Sequence, residues 1–532
     1  MFSALYVSAT GITALGERMQ TIGNNLANVS TVAYKEADTL FATLISRQMA
    51  TGSNRFTSGV NDLSQIGMGV GVEAIRTDFS QGSITAGSEN TDMAIAGRGF
   101  FGLRNPADSS LAYTRAGNFR FDSTAYLTNP SGLRLQGYAV DRATGAVATA
   151  VTDIQLPYED VTVDGVQTRV VRCPAQATSL VTLETNLNYS AEDRVQDASN
   201  PFFALFTNYD GASGSFGSQM PSYQTTMTVY DESGATHTLT FSYDRVDSTL
   251  LSNAVSSNRY WEFMITVDPS EDGRGGIAGT SAAGVLGFGT ISFNRYGEMI
   301  DESFFTLTGA IGSNAKSLSN WGPSAFSATG YPSFNVIFAL SNGGVTAGQS
   351  VAVNFGLLNS NASWITGSNT TAASVGRNVN GLPRLSSVFR DVYATTDYEA
   401  GSATLMHSQD GYPVGYLQSL SVDALGFLTG HFSNNQNLAL AQVALYRFTS
   451  EDGLRRDGGN VFLETEASGA AVAGKPGENG RGTIEQESLE ASNVDIAAEL
   501  VNMITTQRGF QANTKVMTTA DSILQTAMQT KR

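Results

Sequence analysis

The chain has 532 residues, too many for one compact domain, and is 41% apolar but only 15% charged. Its net charge of −17 and its few scattered lysines leave no basic patch, which argues against nucleic-acid binding. A single cysteine, Cys173, excludes an intramolecular disulfide framework, and no apolar run is long enough to span a membrane, so no membrane insertion is expected.

The first segment reads as a helix. Met1 to Val29 lacks proline, and Leu5, Ile12, Met19 and Leu26 recur every seven residues, with Leu15, Ile22 and Val29 as a second series. Glycines at 11, 16 and 23 weaken such a helix in isolation. The stretch also carries no Lys or Arg before Arg18, so it does not read as a cleaved secretory signal. Residues 31–71 change register: Phe41, Leu44 and Ile45 continue a helical pattern and a Gly, Ser and Asn-rich run follows, so the segment reads as a helix leading into an extended linker.

From Val70 the period becomes two. Met93-Ala94-Ile95, Phe119-Arg120-Phe121 and Leu133-Arg134-Leu135 are strand-like and separated by turn residues, giving a β domain over 72–157. The block 158–405 is richest in Gly, Ser and Asn and reads as inserted all-β structure, with room for two subdomains. Its clearest hairpin runs Met227 to Tyr243 around Asp231-Glu232-Ser233-Gly234. Strands of the first kind return over 406–465, so the first β domain is expected to be completed from both sides of the insertion. A second linker is read at 466–487.

The last segment, 488–532, again reads as helix. Ser492 stands as a candidate N-cap with Asp495 three residues on, and acid early (Asp495, Glu499) and base late (Lys531, Arg532) suit the helix dipole. Ile496, Met503, Phe510, Met517 and Leu524 form one seven-residue series. A second begins at Leu500, beside Ile504, and turns polar at Gln507, Thr514 and Asp521. A helix of roughly 55–60 Å carrying such a stripe needs a partner. The fold class expected is therefore mixed: long N- and C-terminal helices forming a coiled-coil-like terminal domain over 1–30 and 488–532, with nested, mainly antiparallel β domains between them.

Chemistry is sparse. His237, His407 and His431 are scattered without metal-ligand spacing, and Gly67-Met68-Gly69-Val70-Gly71 lacks the Lys-Ser/Thr of a phosphate loop. No Gly-x-Ser-x-Gly elbow occurs, and Cys173 reads as a structural thiol. No enzyme activity, metal or cofactor is expected.

Several blocks do carry a resemblance. Asn24-Asn25-Leu26-Ala27-Asn28-Val29-Ser30-Thr31 followed by Tyr34-Lys35, Asp78-Phe79-Ser80-Gln81-Gly82, and Thr91-Asp92-Met93-Ala94-Ile95 through Gly99-Phe100-Phe101 are three of them. Tyr113-Thr114-Arg115-Ala116-Gly117-Asn118-Phe119, Leu489-Glu490-Ala491-Ser492-Asn493-Val494-Asp495 and Gln507-Arg508-Gly509-Phe510-Gln511-Ala512-Asn513 complete the set. Together they resemble the bacterial flagellar rod and hook axial proteins over roughly 1–157 and 410–532. The large insertion, with Val229-Tyr230-Asp231-Glu232-Ser233-Gly234 and Pro174-Ala175-Gln176-Ala177-Thr178, is most similar to the hook members. The chain departs at Val32-Ala33-Tyr34-Lys35, where the family usually has Thr-Gly-Phe-Lys, and a changed turn is expected there.

The resemblance implies a structural subunit that polymerises with itself into a curved, flexible helical tube, a universal joint carrying motor torque to the filament. The assembly interface would comprise Leu5, Ile12, Leu15, Met19, Ile22, Asn25, Leu26, Asn28 and Val29 with Ile496, Leu500, Met503, Ile504, Phe510, Met517 and Leu524. Implied partners are the hook cap protein, the distal rod and hook–filament junction proteins and the flagellar type III export apparatus. The implied location is the hook at the cell exterior, reached without a cleaved signal peptide. A rod or junction component of the same structure is the alternative, and a secreted β-rich adhesin a remote one.

Overall fold

The computed structural model describes residues 2–45, 47–48, 65–141, 144–163, 166–214, 216–308, 314–340, 343–365 and 371–529. Residues 49–64 of the expected linker, and the late bases Lys531 and Arg532, lie outside the described residues. The chain forms two compact units, one from 1–172 with 416–532 and one from 173–415. Most of it is antiparallel β, and three α-helices are described: α1 (Phe2–Ala27), α2 (Ala204–Asn208) and α3 (Ile496–Gln529).

The first unit is knitted from both halves of the sequence. In its main sheet the strand Arg134–Val140 pairs with Asn437–Val443, aligning Tyr138 with Gln442, and Leu111–Thr114 pairs with Val461–Leu463. An aromatic core of Phe100, Tyr113, Tyr446, Phe448 and Phe462 fills one face. Alternating apolar residues supply it, because successive side chains on a strand point to opposite faces.

Both stretches carry sheet, where the first reads as helix and linker and the second as linker. Ala37–Thr43 and Val70–Thr77 are antiparallel partners, from Ala37 opposite Thr77 to Thr43 opposite Val70, and this hairpin packs along α1. In 466–487, Val472–Gly474 pairs with Leu445–Arg447 and Thr483–Gln486 pairs with Met93–Ala96. The glycines that read as slack there serve close packing. A Cβ on Gly474 would stand 2.4 Å from Arg481 Cζ, and one on Gly482 2.3 Å from the Ala96 carbonyl oxygen. Arg481, itself 7% exposed, laces the segment down by donating to Leu445 O and Val472 O.

The terminal helical segments are shorter than read. Ser488–Glu490 is a strand paired with Ile84–Ala86, and α3 starts only at Ile496. Its cap is Asp495, whose Oδ1 accepts from Ala497 N (2.7 Å) and Ala498 N (3.2 Å), rather than Ser492.

The second unit begins and ends later than the 158–405 block. Gln176 and Tyr412 bridge at its entrance. It stacks a six-stranded antiparallel sheet, Tyr223–Tyr230 through Trp321–Pro323, against a five-stranded mixed sheet that includes Leu180–Asn186 and Gln349–Asn354 as a parallel pair. Phe241, Tyr243, Trp261, Phe263, Phe334 and Val353 fill the space between the sheets. The opposite face of the six-stranded sheet is covered too, by Phe202, Phe203 and Phe206 at α2 packing on Met264, Phe288, Phe305 and Trp321. With both faces covered, the central strands Arg259–Thr266 and Val285–Phe293 are buried along nearly their whole length.

Candidate assembly interface

Several of the blocks that carry the resemblance meet at one place in the first unit. Lys35 Nζ donates to Glu490 Oε1 (2.6 Å) and to Ser80 O (2.6 Å), with the Lys35 and Glu490 side chains both at 0% exposure. Gly82 N donates to the same Oε1 (2.9 Å), Ala33 N donates to Glu490 O (2.7 Å), and Arg115 Nη1 lies 3.5 Å from Glu490 Oε2. Burial lowers the Lys35 ammonium below its ordinary value, and Glu490 opposes that shift.

Asparagines extend the knot to the helices. Asn25, fully buried on α1, donates to Ala37 O (2.8 Å) and accepts from Ala37 N (3.0 Å). Asn493, just before α3, accepts from Glu36 N (2.7 Å) and donates to Asp78 O (3.0 Å). Arg456 stacks on the Tyr34 ring and donates to Lys35 O. The exit of α1, the root of the hairpin and the entry of α3 are thus fastened to the β sheet through side chains that satisfy buried backbone groups.

From this knot α1 and α3 run side by side in opposite directions. A Cβ on Gly11 would lie 3.0 Å from Asn513 Nδ2, and one on Gly509 3.2 Å from Leu15 Cδ1. Most buried residues on the helices are small or polar, Ser8, Ala14 and Asn25 on α1 and Glu499, Thr506 and Ala520 on α3, with Ile22 of α1 the large apolar one. Thr506 satisfies its hydroxyl on Asn502 O of its own helix (2.7 Å). Small residues bring the helices close at these points, Gly11 against Asn513 and Gly509 against Leu15.

Part of the apolar stripe faces outward. Ile496, Leu500, Ile504 and Met517 are exposed, with Val501, Val516, Ile523 and Met528 beside them, Leu500 at 44% and Ile504 at 51%. Met503, Phe510 and Leu524 are half-buried, as are Leu5, Ile12, Leu15, Met19, Leu26, Asn28 and Val29 on and just after α1, while Ile22 and Asn25 are buried. An apolar groove at the far end of the pair is lined by Ala4, Ala512, Val516, Ala520 and Ile523. Exposed apolar residues aligned along a helix in this way mark a surface that associates. Lys35, Arg115, Glu490 and Asn493 were within the quoted blocks, but heptad reasoning does not see them.

The remaining chemistry is structural. His237 stacks on Phe338 with Nδ1 3.0 Å from Glu271 Oε2, and Cys173 is buried. Among the described residues no group of three or more His, Cys, Asp or Glu is placed to hold a metal, and no helix is long and apolar enough to cross a membrane.

Four family models match the chain. They are described as flagella basal body rod protein (5–35), flagellar hook protein FlgE/F/G D1 domain (94–171), flagellar basal body protein FlaE D2 domain (215–412) and flagellar basal body rod FlgEFG protein C-terminal (485–530). Among curated proteins the chain is 28% identical to the flagellar hook protein FlgE of Treponema pallidum, with 100% of both chains covered. It is 27% identical to that of Borreliella burgdorferi over 100% of both, and 27% identical to that of Escherichia coli over 98% of both. A crystal structure of Helicobacter pylori flagellar hook protein FlgE2 aligns with 76% of this chain and 100% of its own, at 14% identity and a TM-score of 0.40.

Proposed function

We infer that this chain, a member of the flagellar rod and hook protein family from end to end, is the structural subunit of the bacterial flagellar hook and polymerises with copies of itself. It is a building element of the axial structure, not an enzyme. The observation that carries the molecular reading is the division of labour on α3. Gly509 and Asn513 meet α1 within the chain, while Leu500, Val501, Ile504, Val516 and Ile523 stay exposed.

Burying that stripe against helices of neighbouring copies is the source of assembly energy in this reading. At about 25 cal/mol per Å² of apolar surface, a few such side chains per contact, repeated along a polymer, suffice for cooperative growth. Contacts between different faces of successive copies do not close on themselves and so build a helical tube. The terminal helices line its interior as a coiled-coil-like layer, and the tube is the curved, flexible joint that carries torque to the filament. The hook cap, distal rod and hook–filament junction proteins are its proposed neighbours. The flagellar type III apparatus is its proposed route to the cell exterior, without a cleaved signal peptide.

The test is electron microscopy of the full-length chain against Leu500→Asp with Ile504→Asp under polymerising conditions. Tubes from the native chain, and soluble monomers with an unchanged β-sheet spectrum from the double variant, are expected. Tubes of normal appearance from the double variant would overturn the assignment of this face.

A further inference from the structure

Glu499 stands in the first turn of α3, 2% exposed, and its Oε2 has no hydrogen-bond donor within reach. The group it meets is the carboxyl of Glu36, at the root of the hairpin. Two ionised carboxylates offer acceptors only, so a hydrogen bond between them needs a proton.

Among the described residues, the groups that weigh most on Glu36 include no cation to replace that proton. Asp38 on the strand that follows Glu36 and Asp78 after the second strand both contribute negative charge at Glu36. From α1 the approaching groups are the Asn25 amide and the Thr21 hydroxyl, both uncharged, and Arg18 of α1 lies over the Phe41 ring. Asp495 is turned to its own helix as the cap. Lys35, the neighbouring ammonium, is occupied by Glu490 and Ser80 O.

The geometry points to a proton-locked latch: one proton shared between Glu36 and Glu499 holds the first turn of α3 against the hairpin, and its loss lets that turn lift away. Burial, then the contact with Glu499, pushes the Glu36 carboxyl from its ordinary 4.5 up to about 7. A folded value above the unfolded one means the latch is fully closed below the ordinary glutamate range and opens as pH rises through neutrality. Because α3 also carries the exposed apolar stripe, the latch would set how firmly that stripe is presented. This last consequence rests on the proposed function, whereas the latch itself does not.

The test is hydrogen–deuterium exchange of amides 496–503 in the full-length monomer, corrected for intrinsic exchange, from about pH 5 to about pH 8. Protection in the native chain is expected to fall roughly tenfold across that interval. Glu36→Gln and Glu499→Gln, whose amides donate permanently, are expected to flatten the profile. Asp38→Asn, at an exposed position, keeps the pair and is expected to move the midpoint to lower pH. A flat native profile, a slope that survives in a folded glutamine variant, or an Asp38→Asn midpoint that does not move would each overturn the latch.

Discussion

Lys35 Nζ and Glu490 Oε1 are 2.6 Å apart across 455 residues of sequence, and neither side chain touches solvent. Their mutual attraction offsets the cost of taking both charges out of water, so the pair matters most for what happens when half of it is removed. Glu490→Ala leaves a buried ammonium facing Ser80 O and a guanidinium at Arg115 without its anion. A loss of about 3–5 kcal/mol in the first unit is expected by chemical denaturation. Lys35→Met combined with Glu490→Leu removes both charges and is expected to cost much less than either single change.

Ala33 occupies the left-handed region at φ 55° while 1% exposed, with its N–H held by Glu490 O. The Cβ of an L-residue is strained there, and glycine is not. Ala33→Gly is expected to raise stability by about 1 kcal/mol, read as a shift in the denaturation midpoint at constant slope. No gain would mean that packing of the buried methyl matches the backbone strain.

The three glycines of α1 are expected to behave differently. Gly16 and Gly23 have open space where a Cβ would go, whereas Gly11 faces Asn513. Gly16→Ala and Gly23→Ala should each stabilise the helix by about 0.5–1 kcal/mol, measured by circular dichroism melts. Gly11→Ala should give less than either, because Asn513 must shift, and Gly11→Leu should separate the helices.

Glu262 in the second unit is 2% exposed, accepts from Leu205 N (2.9 Å) and is pushed well above its ordinary range, mainly by burial and then by Asp244. Asp193 beside it is pushed up to about 6 by burial and the Asp244 charge. Folded values above the unfolded ones make these groups stabilising in acid, a contribution lost as pH rises. The second unit should therefore lose stability from mild acid toward neutral pH, and Glu262→Gln should flatten that slope in denaturation curves taken at several pH values.

Local chemistry was the legible part of the fold. Asp231 Oδ1 accepts from Ser233 N (2.9 Å) and Ala235 N (2.8 Å), and Gly234 takes φ 83°, so the hairpin around Asp231-Glu232-Ser233-Gly234 forms as its residues dictate. The helical ends were visible through their periodicity, although Ser488–Glu490 pairs as a strand because Ile84–Ala86 offers it an edge. What periodicity hides is which face of α3 meets α1. A heptad reading weights large apolar residues, whereas the contact is closest where Gly11 faces Asn513 and Gly509 faces Leu15. Glu499 misleads in the same way: read as an acid suited to the helix dipole, it is buried against another carboxyl. The Lys35–Glu490 knot was legible only as separate blocks, since nothing local says that residues so distant will touch.

The same separation sets the order in which the molecule can tighten. A chain supplied from its N-terminus gains α1, the hairpin and Ser80 early, yet these have no fastening until Glu490 arrives near the end. Closing a loop of that length costs about 5 kcal/mol of chain entropy. The bridge between Gln176 and Tyr412 brings the ends of the second unit together and shortens the loop once that unit has folded. The outermost part of the sequence is therefore the last to become rigid, and a chain still being synthesised stays pliable until its tail is delivered.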